Sequence, residues 1–310
     1  MKERFVSFEA KDDRITPFAV EALDLRGRVV RLGPAVDTIL SHYNYPPPVA
    51  RVLGEGVALA ALLGSMLEAH GRFQLQTRTE GVVDLLIVDY DPPGRLRGFL
   101  RYDADRVEAR ASTATLLGQG HMALTIENVQ ESSRHQGLVE LRTGLADAAD
   151  EYFRQSEQIP SFVKLAVAEE VTPHGRRWRA GGLLAQYLPR NAGEGLGDPA
   201  EEAPDAWTEG VALARTIEDH ELVDPSLSSE RLLYRLFHER GVKVFEEREV
   251  VARCRCSASG VENMLLSFSA DDRAQMVGDD GCIGVTCEFC GTHRSFDPAE
   301  LGHDRPGEAG

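Results

Sequence analysis

Four cysteines in two tight pairs carry the chemistry that this sequence offers. Cys254 and Cys256 stand in "CRCS", Cys287 and Cys290 in "CEFC", and thirty residues separate the pairs. Zinc accepts four thiolates at tetrahedral positions, and two close pairs joined by a loop supply that set. The first pair departs from the common zinc knuckle, because a single residue, Arg255, separates its sulfurs. Two other donors lie nearby. Cys282 precedes Cys287 by five residues and could compete for the metal, but is read as a bystander. His293 extends the second pair to CxxCxxH and could replace one thiolate, but is read as an exposed polar side chain.

All five cysteines fall in the last 57 of the 310 residues, so the body of the protein has no need of thiols. Composition is that of a globular chain, 42% hydrophobic and 27% charged, with a formal charge of -16. Such a charge favours solubility and disfavours nonspecific association with nucleic acid or anionic membrane. The first fourteen residues are densely charged and lack the apolar core of a signal peptide. The uncharged apolar stretch Gly56–Leu67 is expected to be too short to span a bilayer. The reading is a cytoplasmic protein, where thiols stay reduced and clustered cysteines serve metal or redox chemistry.

The expected fold class is α+β: a mixed α/β N-terminal body, a helical linker and a small C-terminal zinc-binding domain. The body is placed at 1–189. "GVVDLLIVDYDPPGRLRGFLRY" reads as two strands joined at Asp91-Pro92-Pro93-Gly94, and "HMALTIENV" and "GLVELR" as further strands. "PVARVLGEGVALAALLGSMLEAHGR" reads as a helix stopping at Gly71, and "LADAADEYFRQSEQ" as one ended by Ile159-Pro160. Residues 190–250 read as a flexible loop, Arg190 to Ala206, followed by two short helices. The first carries Trp207, Val211, Ala214 and Ile217 at helical spacing. The second is announced by Asp224-Pro225, carries Leu232, Leu233, Leu236 and Phe237, and stops at Gly241. At rest these stripes are expected to pack on the body, since exposed apolar stripes are a liability. The cysteine unit occupies 251–298, and a polar tail, 299–310, is expected to be disordered.

A unit with so few large apolar residues is marginal alone, whereas structural zinc contributes on the order of 10–16 kcal/mol. Metal-bound cysteines are thiolates, the form that peroxide and hypochlorous acid attack. Each pair is close enough in sequence to close a disulfide with its own partner, which would remove two ligands at once. The pattern permits an oxidation-triggered unfolding switch without establishing one.

The chain resembles the bacterial 33-kilodalton redox-regulated heat-shock chaperones, also called chaperonins. "RGRVVRL", "LGEGVALAALLGSML", "GRLRGF", "YFRQSEQIPS", "GGLLAQYLP", "LLYRLFHE", "CRCS" and "DDGCIGVTCEFCG" carry the likeness through most of the chain. The resemblance implies an ATP-independent holdase, not an enzyme, whose reduced form binds one zinc per chain and is inactive. It implies Cys254–Cys256 and Cys287–Cys290 disulfides under oxidative and heat stress, with zinc expelled and the C-terminal unit and linker unfolded. The active form, commonly a homodimer, would hold unfolding proteins and later pass them to ATP-driven foldases. Trp207, Val211, Ile217, Leu232, Leu233, Leu236 and Phe237 are then the expected client contacts. Cys282, Gly260 and Arg294 depart from the family pattern, and none of them removes a ligand.

Rival readings find less support. From Cys254 to Gly310 there are four Lys/Arg against ten Asp/Glu, a poor surface for a zinc-ribbon nucleic-acid binder. A thiol-disulfide oxidoreductase would place CxxC at a helix N-terminus, whereas "IGVTCEFCGT" reads as strand, knuckle and turn. No GxxxxGK[ST] is present. "GEGLG" lacks a preceding strand, Ser156 lacks a nucleophile-elbow context, and His42, His121 and His135 are scattered.

Overall fold

The structure, a computed structural model, describes residues 11–67, 71–128, 130–173, 175–188 and 205–301. Residues 190–204 of the expected loop, 302–310 of the expected tail and 1–10 of the charged N-terminal segment lie outside the described residues. Two compact units emerge, Met1–Ala252 and Arg253–Gly310.

The larger unit begins β1 (Arg14–Val20), β2 (Leu25–Leu32), α1 (Pro34–Leu40), α2 (Pro47–Gly64), β3 (Gly71–Thr79), β4 (Val83–Asp91) and β5 (Arg95–Tyr102). It continues α3 (Thr113–Leu117), β6 (Gly120–Asn128), β7 (Ser133–Leu141), α4 (Leu145–Tyr152), β8 (Ser161–Thr172) and β9 (Gly175–Tyr187). It closes with α5 (Asp205–Ala214), α6 (Asp219–Val223), α7 (Ser229–Phe237), β10 (Lys243–Val244), β11 (Arg248–Glu249) and β12 (Val251–Ala252). One antiparallel sheet runs β10-β1-β2-β9-β8, with β11 also on β1. The other runs β12-β5-β4-β3-β6-β7, antiparallel except for the β12–β5 pair. Mostly antiparallel sheets with helices set apart from them make this an α+β fold.

Helix α2 lies between the sheets, against β2, β8 and β9 on one side and β3, β4 and β5 on the other. A helix with sheets on both sides must be apolar all round, and fifteen residues of α2 are buried. The uncharged stretch lies largely in α2, whose eighteen residues, Arg51 and Glu55 included, are long and apolar enough to cross a membrane by length and composition only, and 83% of the helix is buried inside the unit. The helix also ends at Gly64 rather than at Gly71. Gly64 lies flat on Tyr90, where a Cβ would come within 2.5 Å of the ring, and Ser65 Oγ donates back to Leu62 O at 2.8 Å. Gly71 instead opens β3.

The sheet of β1, β2, β8 and β9 is covered on both faces. Val30 and Leu184 point into the α2 core, while their neighbours Val29 and Leu183 point into a second core. That second core is built from the sheet's outer face and from Trp207, Ala214, Ile217, Leu222, Leu232, Leu233, Leu236 and Phe237. Three helices rather than two cover this face, because α6 follows α5 after a short turn. Helix α7 starts at Ser229, capped by the Ser228 hydroxyl, four residues beyond the expected Asp224-Pro225 start. Val251 and Ala252, expected with the cysteine unit, pair with Arg95 and Leu96 of β5.

Sheet residues clamp α6 in place. Arg31 and Arg179, both buried, donate to carbonyls at its C-terminal end: Arg31 to Glu221 at 3.0 Å and to Asp224, Arg179 to Val223 at 2.7 Å. They satisfy carbonyls that a helix end leaves unpaired. The glycine pair of "AGGLLAQY" divides its work between the faces. A Cβ on Gly181 would lie 2.2 Å from Leu222 O of α6, and one on Gly182 would lie 2.9 Å from Leu62 of α2.

Two carboxyls in this unit are held unusually neutral. Burial raises Glu55 of α2 to about 7, against a hydrogen bond with Thr113 that lowers it. Burial and neighbouring Asp147 raise Asp150 of α4 to about 7. A carboxyl with a raised folded pKa favours the fold fully below its unfolded value and progressively less as pH rises to its folded value. For Glu55 that window runs from 4.5 to about 7. Glu55→Gln should therefore flatten the fall in stability across this window and stabilise the protein at pH 8 by about 1–3 kcal/mol. Denaturant titrations at pH 5 and pH 8 check this, and an unchanged pH slope would contradict it.

Candidate metal centre

The smaller unit contains α8 (Ala258–Leu266), α9 (Ala270–Gln275), β13 (Ile283–Thr286) and β14 (His293–Phe296). Its fully buried apolar residues are Leu265, Ile283 and Phe296, with Val261, Val277, Val285 and Leu301 packed around them. Three such side chains contribute on the order of 5–9 kcal/mol, a small core for a unit of this length. Polar caps supply the rest of its local order. Ser257 Oγ accepts from Gly260 N at 3.0 Å to start α8, and Ser269 Oγ accepts from Asp272 N at 3.1 Å to start α9.

The second cysteine pair sits on the β13–β14 hairpin. Cys287 N donates to Thr292 O at 3.0 Å, and Gly291 N donates to Cys287 O at 2.7 Å. Gly291 takes a positive φ of 61°, which a glycine adopts without strain, and so lets the chain fold back beneath Cys290. The first pair lies on the segment leading into α8. Residues two apart in extended chain project to the same side, which suits a CxC pair.

All four sulfurs converge: Cys254, Cys256, Cys287 and Cys290 place their Sγ atoms within 4.8 Å of one another. Cys254 and Cys287 Sγ are 3.8 Å apart, and Cys256 and Cys290 Sγ 3.4 Å. A tetrahedral zinc site with bonds of about 2.3 Å has sulfur–sulfur edges of about 3.8 Å, so the donor set fits such an ion. None of the five cysteines is disulfide-bonded.

Proton sharing shows how the cluster handles charge. Burial pushes Cys256 up to about 12, and hydrogen bonds with the Cys290 and Cys254 thiols add to this, while Arg294 opposes it. Burial also raises Cys287. Burial works against ionisation of Cys290 as well, but hydrogen bonds with Thr292, Cys256 and Cys287 outweigh it and hold the thiol down at about 6. Four thiolates together require a positive centre.

The two alternative donors take other roles. His293 lies on the opposite face of the hairpin from Cys287 and bonds Thr286 Oγ1 through Nδ1 at 2.9 Å. Cys282 closes the turn into β13, its carbonyl accepting from Gly278 N at 2.9 Å, and it is not one of the four converging thiols. The expected client contacts lie in the larger unit. Trp207, Ile217, Leu232, Leu233, Leu236 and Phe237 are buried and Val211 is half-buried, all in the core on the outer face of the first sheet. One feature that escaped sequence reasoning is the Arg31–Arg179 clamp on the carbonyls of α6.

Metal analysis of reduced protein should find one ion per chain. Cys254→Ser and Cys290→Ser should each lose it, while Cys282→Ser and His293→Ala should keep it. Loss of the ion from His293→Ala would return that histidine to the ligand set.

Comparison with known proteins places the geometry in context. Residues 13–297 match the family described as "Hsp33 protein". A "33 kDa chaperonin" of Caulobacter vibrioides is 43% identical over 294 residues, covering 93% of this chain and 95% of that protein. One of Pseudomonas aeruginosa is 36% identical over 292 residues, covering 93% of each. The crystal structure of the 33 kDa chaperonin (heat shock protein 33 homolog) of Thermotoga maritima superposes with a TM-score of 0.77 at 21% identity. It covers 94% of this chain and 97% of that one, a likeness of fold.

Proposed function

This chain belongs to the Hsp33 family, and on that premise we propose that it is a redox-regulated, ATP-independent holdase of the cytoplasm rather than an enzyme. The observation that carries the proposal is the convergence of four sulfurs in a unit whose own core is only three residues deep. Zinc, one per chain, is the ion the thiolate set fits, and when bound it supplies most of the folding free energy of residues 253–310.

In the reduced state the four thiolates are tied up as ligands and the protein is inactive. Peroxide or hypochlorous acid then oxidises them. For peroxide, two thiolates and two protons yield one disulfide and two waters. The disulfides proposed are Cys254–Cys256 and Cys287–Cys290. All four sulfurs lie within 4.8 Å of one another, so peptide mapping of the oxidised protein, rather than proximity, decides the pairing. Loss of the ligands unfolds the smaller unit. Arg253 alone joins Cys254 to β12, a two-residue strand with little pairing of its own.

Mild heat then frees α5–α7 from the first sheet. Trp207, Val211, Ile217, Leu232, Leu233, Leu236 and Phe237 become available to unfolding proteins, as does the sheet face they covered, with Phe18, Leu25, Val29 and Leu183. The high negative charge keeps that surface dispersed. The active form is proposed to be a homodimer that passes clients to ATP-driven foldases, with no nucleic-acid or membrane partner.

Light scattering from a heat-unfolding client tests this directly. Zinc-loaded reduced protein should not suppress aggregation. After peroxide at mildly raised temperature it should suppress aggregation and have lost its zinc. Equal behaviour of the two samples would make zinc a permanent brace and remove the redox assignment.

The packing of α6 adds a second prediction. Gly181→Ala pushes a Cβ against Leu222 O without touching the metal unit. The variant should keep zinc, show faster amide exchange in α6 and α7, and suppress aggregation partially while still reduced. Full zinc content with faster exchange but no basal activity would detach the linker from client binding.

A further inference from the structure

A cleft of about 660 Å³ opens over one end of the first sheet, where β10, β1 and β2 lie side by side. Strand pairing sets its floor and walls. Ala19 of β1 pairs with Lys243 of β10 on one side and with Arg26 of β2 on the other. One row along, Pro17 pairs with Arg28, and Phe245 N donates to Pro17 O at 2.9 Å. All six of these residues line the cleft. Residues two apart on a strand share a face, so Arg26 and Arg28 project together across the floor from Lys243. The strands that carry them are next but one in the sheet, hence about 10 Å apart.

Arg26, Arg28 and Lys243 make no hydrogen bond or ion pair among the described residues, although Lys243 lies over the Phe245 ring at 5.5 Å. Acidic residues outnumber basic ones by 50 to 34 in this chain, so three grouped cations without a carboxylate partner run against its composition. The two carboxylates of the cleft, Glu21 and Asp24, lie in the connection between β1 and β2 and have interactions of their own. Arg28 is half-buried, and burial lowers its pKa. A guanidinium drawn partly out of water is costly without an anion, and a charge-assisted hydrogen bond to an oxyanion offsets that cost.

We propose that this cleft binds the phosphate group of a small phosphate ester, with the organic part of the ligand lying on Pro17 and Phe245. A carboxylate is satisfied by a single planar arginine fork. A phosphate presents oxygens on several sides, and here arginines on β2 face a lysine on β10 across a floor of small residues. Phe245 is 45% exposed and extends a flat apolar surface beside the cations, as a ligand with a ring requires. The inference stands apart from the redox reading, because no residue of the cleft belongs to the smaller unit.

Isothermal titration calorimetry on the full, reduced, zinc-loaded chain tests it, with adenosine monophosphate, inorganic phosphate and adenosine as probes at one ionic strength. The monophosphate should bind saturably at one site per chain, inorganic phosphate more weakly, and adenosine not at all. Arg28→Gln and Lys243→Gln should each weaken the monophosphate about tenfold or more, the scale of a lost charged hydrogen bond. Phe245→Ala should weaken the monophosphate and leave inorganic phosphate unchanged. Lys243 is exposed, so its variant keeps the test open should Arg28→Gln lower the melting temperature. Every variant carries the same metal unit, so a difference between them reports the cleft. No saturable binding of either phosphate would overturn the proposal, as would adenosine binding as tightly as its monophosphate. Unchanged affinity in both charge variants would place the binding elsewhere and overturn it too.

Discussion

Four sulfurs held within 4.8 Å of one another form the constraint on which the smaller unit depends. Two unit charges about 4 Å apart repel by about 4 kcal/mol at an effective dielectric near 20, and a four-thiolate set contains six such pairs. Protons relieve the repulsion at the expense of ionisation; burial lifts Cys256 and Cys287, while hydrogen bonds hold Cys290 low. A divalent cation relieves it with all four ionised. A core of Leu265, Ile283 and Phe296 is small, so a cation held by the four sulfurs would add substantially to the stability of this unit.

The larger unit solves a different problem. A helix apolar on every side needs two sheets, and a sheet apolar on both faces needs a second cover. Helices α5 to α7 are that cover. The cover is attached by side-chain burial, by two arginines on helix-end carbonyls and by the close approach that Gly181 allows, rather than by strand pairing. An element held this way can separate from the sheet without breaking the sheet's hydrogen bonds. On the function proposed above, this is the physical basis for a client-binding surface kept covered at rest.

The cluster of four cysteines was legible in the sequence because its spacing is local: a CxC and a CxxC define which atoms can meet almost regardless of the fold. The α+β class and the family resemblance were legible for similar reasons, in short strands, turn residues and contiguous stretches such as "GGLLAQYLP". Strand β4 turning into β5 at Asp91–Gly94 was likewise readable. Strands β1, β2 and β9 were harder, since a strand buried on both faces loses the alternation that marks it. Helix α6 is five residues long, too short for periodicity to mark.

By itself the sequence determined the four-cysteine donor set, the acidic charge and the apolar stripes of the linker, all properties of residue type and near spacing. Tertiary structure decided what those stripes face, where α2 ends, and that buried arginines secure α6. It also decided that His293 bonds Thr286 across the hairpin, on the opposite face from Val285 and Arg294. The reason is that such choices depend on which face of one strand or helix meets another segment distant in the chain. Two neighbours in β14 differ by one residue in sequence and by a whole face of the hairpin in space.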